Sequence, residues 1–447
     1  MTSPETAEAP TAADDAPASQ IKFLKGADYA TLRHAADVPE QETEKAIITK
    51  IQDSLAEAVN AKNVSFLLGS GCSSFMKGGQ QVGVSTMQPL AKEFTSTNAD
   101  TEEKKKIFLT QEEKKSLNDS CGIDVADVPY NANLEALMEV FYSWKFSLGK
   151  SGQDGHKAPL NTVETAISKL KLFLHKRCTE GAFSSETPDN SVQSLYDSFY
   201  RKLVYRDRSL PRPWVFTTNY DLFNEMAMDS LGLPYTNGFS GTIDRRFNPA
   251  VFRYALAEQL DLTNRKWAAV DGFIYLGKLH GSVSWVEEAG NGLFPVRELQ
   301  DTKGRHDALM VYPTPAKYAS SLASPYTDIF REFQRQIVRE QSVLFVLGYS
   351  FSDAHINNII YQALTIPTFR VVIFADPENL PSDDLKKLKS LQDSRIWIIG
   401  GKDVQGNASH YFNFFVKNFM PQQPSEEVNN AVKKVIGLIG GGANDHG

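Results

Sequence analysis

Cysteine is scarce in this chain. Only Cys72, Cys121 and Cys178 occur in 447 residues, and they lie far apart. No CxxC pair exists, which argues against a structural zinc ribbon, and no metal is expected. Few, unpaired thiols suit a reducing cytoplasm. Long apolar runs are missing as well: none approaches the roughly 20 residues that cross a bilayer. The N-terminus has no basic, apolar signal pattern. A cytoplasmic protein without a membrane partner is the expectation. The chain has no GxxxxGK[ST], no HExxH and no GxSxG, which argues against a phosphate-loop ATPase, a zincin and an α/β-hydrolase. Neither sign of charge dominates. The net charge is −7, with 23% charged and 41% hydrophobic residues, an ordinary soluble composition. Such a balance gives no global pull toward nucleic acid, so direct nucleic-acid binding is not expected.

Patterning divides the chain. Residues 1–20 are rich in Ala, Pro, Thr and acids, and residues 1–40 are expected to form a disordered tail. Glu42–Ala61 has helical apolar spacing, and Val64–Leu68 reads as a buried strand. From about 85 to 212 the signal is mostly helical. Thr101–Asp119 is a charge-dense helix with a solvated face, Asn133–Leu148 a strongly apolar helix, and Leu160–Arg177 an amphipathic one. Strand and helix patterns then alternate. Strands are expected at Trp214–Thr217, Phe273–Leu279, Ala308–Tyr312, Val343–Leu347, Arg370–Ala375 and Arg395–Ile399. Helices are expected at Leu222–Leu231 and Ala354–Leu364, with a last one at Glu426–Ile439 inside a terminal segment 421–447. This alternation predicts an α/β fold: a doubly wound parallel sheet spanning residues 41–420, with a helical insertion at about 85–212.

Four short motifs follow strand-like runs: GSGCS at Gly69–Ser73, TTNYD at Thr217–Asp221, KLHGS at Lys278–Ser282 and GYSFSD at Gly348–Asp353. Strand ends of a parallel sheet line one crevice, where ligands bind. The glycines of GSGCS permit a sharp turn and close approach to a phosphate, with N–H groups and a following helix dipole facing the anion. The motif is equally a plain turn, and Ser74 stands where a GxGxxG fingerprint needs its third glycine. Asn219 can satisfy a turn, and Asp221 can cap the next helix. His280 is a candidate general base, or a structural histidine. Asp376, at the end of the Arg370–Ala375 strand, fits an acid that holds a ribose hydroxyl. A Cys72–His280 nucleophile is a further alternative, and His355 is expected to pack or cap.

Together and in this order, the motifs resemble those of the sirtuin superfamily over roughly Ala61–Gly400. GSGCS is similar to the GAGxS loop, TTNYD to TQNxD, LHGS to the HG motif, and GYSFSD to the later Gly-Ser motif. A zinc-binding cysteine quartet is absent, and Phe75–Pro89 lacks a GIPDFR-like run. The sequence resembles more closely the sirtuin-like NAD-cleaving effectors of bacterial antiphage defence, sharing GYSFxDxxIN through Ile356 and Asn357. That resemblance implies a Rossmann-like core and an NAD+ hydrolase that releases nicotinamide. Asn219, His280 and Asp221 would be catalytic. Gly69, Ser70, Gly71 and Ser73 would hold the pyrophosphate, and Gly348, Ser350 and Asp376 the adenosine. NAD would be the substrate. A homo-oligomer is expected, as is a separate HerA-type hexameric ATPase partner. An NAD- or ADP-ribose-binding regulatory module is the alternative, and a protein deacylase the next.

Overall fold

A computed structural model describes residues 21–29, 40–151, 157–183, 189–207, 209–261, 266–288, 295–302 and 324–421. Its strands, in chain order, begin with β1 Lys22–Lys25, β2 Asp28–Tyr29 and β3 Asn63–Leu68. A hairpin follows, β4 Ser74–Lys77 and β5 Gln80–Gly83, and then β6 Trp214–Thr217 and β7 Tyr235–Thr236. Next come β8 Phe239–Ser240, β9 Arg245–Phe247, β10 Ala257–Asp261, β11 Lys266–Ala269 and β12 Ile274–Lys278. The last five are β13 Trp285–Glu287, β14 Val296–Glu298, β15 Ser342–Leu347, β16 Arg370–Phe374 and β17 Ile396–Gly400.

One nine-stranded sheet organises the chain, in the order β2-β1-β17-β16-β15-β3-β6-β12-β7. All pairs from β17 through β7 are parallel. Its central parallel strands are mostly apolar and buried because both faces are covered. Alternate side chains feed two cores. Phe66, Leu68, Phe345, Leu347, Phe374 and Ile399 join one, with helix Glu40–Val59 and the insertion helices. Leu67, Leu344, Val346, Ile373 and Ile398 join the other, with helices Tyr326–Ile337, Ala354–Ala363 and Asp383–Ser390. This is the doubly wound α/β fold that the alternation predicts.

From β3 the chain moves through the insertion to β6 and β12 on one side. It then returns to β15 on the other side of β3. The switch point therefore falls between β3 and β15, so the loops after these strands open the crevice.

Several expectations are corrected. Residues 1–40 are not all tail: β1 pairs antiparallel with β17, from Lys22 opposite Gly400 to Lys25 opposite Trp397, and carries buried Phe23 and Leu24. The charge-dense stretch is two helices, Glu102–Ile107 and Gln111–Cys121. Thr110 and Glu113 form a capping box that restarts the helix, while Phe108 and Leu109 turn inward. A second antiparallel sheet, β13-β14-β9-β8, encloses Trp285, Phe239 and Phe247, and went unread because its strands have only two or three residues each. The insertion contains helices Met87–Ser96, Leu134–Ser151, Lys157–Phe183 and Ser191–Leu203 besides the charged pair. In Leu134–Ser151, Leu134, Leu137, Met138 and Phe141 are buried, and Trp144 is partly so. Phe146 is exposed. That helix is thus largely spent on the insertion's own core. The expected strand Ala308–Tyr312 and helix Glu426–Ile439 lie outside the described residues.

Candidate functional site

The carboxyl ends of β3, β6, β12 and β15 bring the four motifs to one cavity. Ser70, Ser73, Asn219, Asp221, His280, Gly348 and Ser350 line it, together with Tyr349, Ser352 and Asp353. The insertion supplies its other wall through Leu90, Asn133, Glu135, Leu174 and Cys178. A second cavity holds Asp376, with Gly71, Asn379, His410 and Tyr411. Ser70, Gly348, Tyr349 and Ser350 line both, so the two spaces meet at the β3 and β15 loops.

The floor of the first cavity is tightly bonded. Ser73 Oγ–H donates to Asp221 Oδ2 at 2.6 Å. Asn219 Nδ2 donates to Ser73 Oγ at 2.8 Å and to the Gly69 carbonyl at 2.9 Å. Asn219 Oδ1 is buried and has no protein partner. An acceptor left so is costly, by about 1–3 kcal/mol, unless a ligand or water donates to it. Asp221 Oδ1 accepts from Phe223 N–H at 3.3 Å, a turn contact two residues on; the helix N-cap is Leu222, without a side-chain cap bond, so Asp221 is not the cap expected of it. Burial pushes the Asp221 carboxyl above its usual range, while Lys278 and the Ser73 hydroxyl pull it back.

His280 is 7% exposed, and its Nε2 lies 3.0 Å from Asp353 Oδ2. The other oxygen of Asp353 accepts from His355 N–H and Ile356 N–H, capping helix Ala354–Ala363. One carboxylate therefore fixes both a helix start and the histidine. An Nε2–H that donates to Asp353 leaves Nδ1 with a lone pair for a substrate proton. The Asp353 loop is held in turn. Tyr349 O–H donates to Asn357 Oδ1, and Asn357 Nδ2 donates to the Phe351 carbonyl and to Asp384. Phe351 sits at φ 58°, a left-handed conformation unusual for a bulky residue and of the kind that collects at functional sites.

The GSGCS loop differs from its expected form. Gly69 N–H donates to the Leu347 carbonyl and Gly71 N–H to the Gly348 carbonyl, while Cys72 and Ser73 N–H close the turn on Gly69 and Ser70. These donors are not available to a phosphate. A short 3₁₀ turn and the β4–β5 hairpin follow, not an α-helix. A Cβ on Gly69 would lie 2.4 Å from the Gly348 carbonyl oxygen, and one on Gly71 2.9 Å from Gly348 Cα. These glycines are required by the backbone of the β15 loop, which crosses them with Gly348 at φ +61°. Gly69 lines neither cavity, whereas Ser70 lines both. Ser73 is engaged with Asn219 and Asp221 rather than set apart for a pyrophosphate. Ser350 is exposed and bonds Ser352 Oγ at 3.0 Å. Asp376 Oδ1 accepts from Glu378 N–H at 3.1 Å.

Cys72 is wholly buried and its thiol donates to the Leu347 carbonyl, and burial raises its pKa well above the ordinary thiol range. It lines neither cavity, so the Cys72–His280 nucleophile is ruled out. Cys178 reaches the first cavity, but burial pushes its thiol up to about 12. Among the described residues no three His, Cys, Asp or Glu side chains gather as a metal site would need, and no helix is long and apolar enough to cross a membrane.

The sequence reading gave Asp353, Lys278 and the insertion's cavity residues no role. Asp353 carried a signal, an Asp just before a helical run. Leu90, Leu174 and Cys178 carried none, because they reach the site from helices whose spacing reports only burial.

No curated protein matches this chain. Residues 213–399 match the family model described as SIR2-like domain. They contain the ends of β6, β12, β15 and β16, and hence Asn219, Asp221, His280, Asp353 and Asp376. The match supports a sirtuin-like family for this chain and, with it, NAD use by an enzyme of the NAD-dependent kind.

Proposed function

We propose that the protein hydrolyses NAD+, releasing nicotinamide and ADP-ribose, and that it serves as an antiphage effector by depleting NAD. The observation that carries this is the convergence of Asn219, Asp221 and His280 on one cavity that meets a second one holding Asp376. Two joined spaces suit a two-part dinucleotide, with the nicotinamide ribose in the first and the adenosine in the second. The partnerless Asn219 Oδ1 fits a ribose hydroxyl that donates to it.

In the reaction, the bond between ribose C1′ and the nicotinamide nitrogen breaks. Its electron pair goes to the cationic ring, which leaves neutral and needs no strong acid. The ribose passes through an oxocarbenium-like state. Water oxygen bonds to C1′, and His280 Nδ1 takes the water proton as general base. Asp353 holds the imidazole and steadies its charged form. Asn219, locked by Gly69 and Ser73, orients the ribose. Asp221, where ionised, places negative charge near the developing cation.

An unregulated enzyme of this kind would kill its host. Gating by assembly is therefore part of the proposal: a homo-oligomer working with a separate HerA-type ATPase. The decisive experiment follows nicotinamide release by the protein and by its reconstituted complex, with and without an acyl-peptide. Release without peptide is the expected result. Unchanged NAD under every activating condition, with deacylation of the peptide, overturns the proposal.

A further inference from the structure

Lys278 ends β12, two residues before His280, and its side chain is fully buried. Its Nζ donates to the Asp221 carbonyl and to the Tyr220 carbonyl, the latter at 3.4 Å, and lies 3.1 Å from Glu225 Oε1. An ammonium has three protons, and three oxygens surround this one, two accepting hydrogen bonds and the third at ion-pair distance. Two of them are backbone carbonyls of the turn that carries Asn219 and Asp221. The third belongs to the helix that follows, Phe223–Ser230. Val283 N–H also donates to the Tyr220 carbonyl at 3.1 Å, and Leu279 N–H to the Thr217 carbonyl at 2.8 Å. The loops after β6 and β12 are thus laced together beneath the cavity, and the Lys278 side chain takes part in this lacing.

We propose that Lys278 is a positioning residue. With Glu225 as its counter-ion, it ties the Asn219–Asp221 turn to the strand that carries His280, and so fixes Asn219 and His280 relative to each other. The kinetic consequence rests on the NAD-cleaving function proposed above; the structural tie does not. Stability is a poor reason for this pair, since a buried ion pair is often no better than a neutral replacement of similar size. Its value lies in geometry, because a displacement of about 1 Å between reacting groups can lower a rate by about 10²-fold.

The test is the neutral double variant Lys278→Met/Glu225→Gln in the full-length protein, beside Lys278→Met and Glu225→Gln alone. Should Lys278→Met leave an uncompensated carboxylate and fail to fold, the double variant still carries the test. Three readings are taken: melting temperature, kcat and KM for nicotinamide release by the activated protein, and hydrogen exchange of segments 218–224 and 280–284. A double variant that melts near the wild type is expected to lose kcat by about tenfold to a hundredfold, with KM changed less than about threefold. Both segments should exchange faster while the β3 and β15 amides do not. Wild-type kcat and wild-type exchange in the folded double variant would overturn the proposal and leave a merely structural ion pair. If the wild type itself releases no nicotinamide, the proposed function falls on that ground, and the exchange pattern alone decides the tie.

Discussion

The two ends of the crevice are built differently. At the end formed by β3, β6 and β12, Ser73, Asn219, Asp221 and His280 are each less than a tenth exposed and bonded to one another or to Asp353. At the end formed by β16, Asp376 is half-buried, Asn379 is exposed, and Tyr411 is 49% exposed. A preorganised, dry group acts strongly on developing charge, because nothing has to reorient when the charge appears. A wet group recognises but moves little energy. Chemistry should therefore reside at the buried end and affinity at the open one, and substitutions can test that division.

The largest effect is expected from His280→Ala, a fall of about 10²–10⁴-fold in nicotinamide release. It should not be silent for the fold, since it strips a partner from the half-buried Asp353. A modest drop in melting temperature is expected, and unfolding would void the test. Asp353→Asn then serves instead: it keeps the helix cap and weakens the histidine. Full activity in both variants would remove His280 from the chemistry.

Asn219→Ala should lower kcat by about 10²–10³-fold, the loss typical of one preorganised hydrogen-bonding group. Ser73 and Gly69 lose their donor, so chemical denaturation should show about 1–3 kcal/mol less stability. An unchanged kcat with raised KM would transfer Asn219 to the recognition end.

Asp221→Asn separates activity from stability. The folded state holds the Asp221 proton more tightly than the unfolded chain does, because burial dominates. Below the unfolded carboxyl range both states are protonated, and no penalty is present. As pH rises through that range and up to the folded pKa, the unfolded chain ionises first and stability falls. Asn avoids this, so the variant should melt higher than the wild type at neutral pH, by an amount that shrinks toward zero near pH 4, while turnover drops. A variant less stable at neutral pH would mean that Lys278 outweighs burial.

The smallest effect belongs to Asp376→Asn. KM for NAD should rise about threefold to tenfold with kcat unchanged, as for binding that is uniform between ground and transition states. Steady-state kinetics decides it, and a collapse of kcat would erase the contrast between the two ends.

The strands β3, β6, β12, β15, β16 and β17 were legible because each is a short, mostly buried run followed by a turn, whereas β1, β2 and β7, of two to four residues, were not. The carboxyl-end placement of Asn219, Asp221 and His280 followed from that. The small sheet was not legible, since two-residue strands such as Phe239–Ser240 leave no period to detect. The meaning of the glycines was misread for a different reason. Gly71 shows in sequence only that a side chain is excluded, not what excludes it. Here the Gly348 backbone does so. Gly71→Val should therefore lower thermal stability as well as ligand affinity, whereas a cradle for phosphate alone would lose only affinity. The roof residues from the insertion were invisible because their position depends on how helices dock, which spacing along one helix does not encode.

The parts of the crevice are also remote along the chain. Ser73 and Asp221 are 148 residues apart, and the Cys72 thiol reaches a carbonyl 275 residues downstream. β3 cannot gain its β15 neighbour, nor Gly69 and Gly71 the Gly348 loop that seats them, until that loop has been synthesised. Pairings of this span close slowly, and chains emerge from the ribosome at about 5–20 residues per second. A nascent chain therefore spends roughly 6–25 seconds with its Asn219 turn made and the Gly348 loop still missing. During translation the order of the strands therefore sets the order of assembly: the crevice closes only once the Gly348 loop has been made and seated on Gly69 and Gly71.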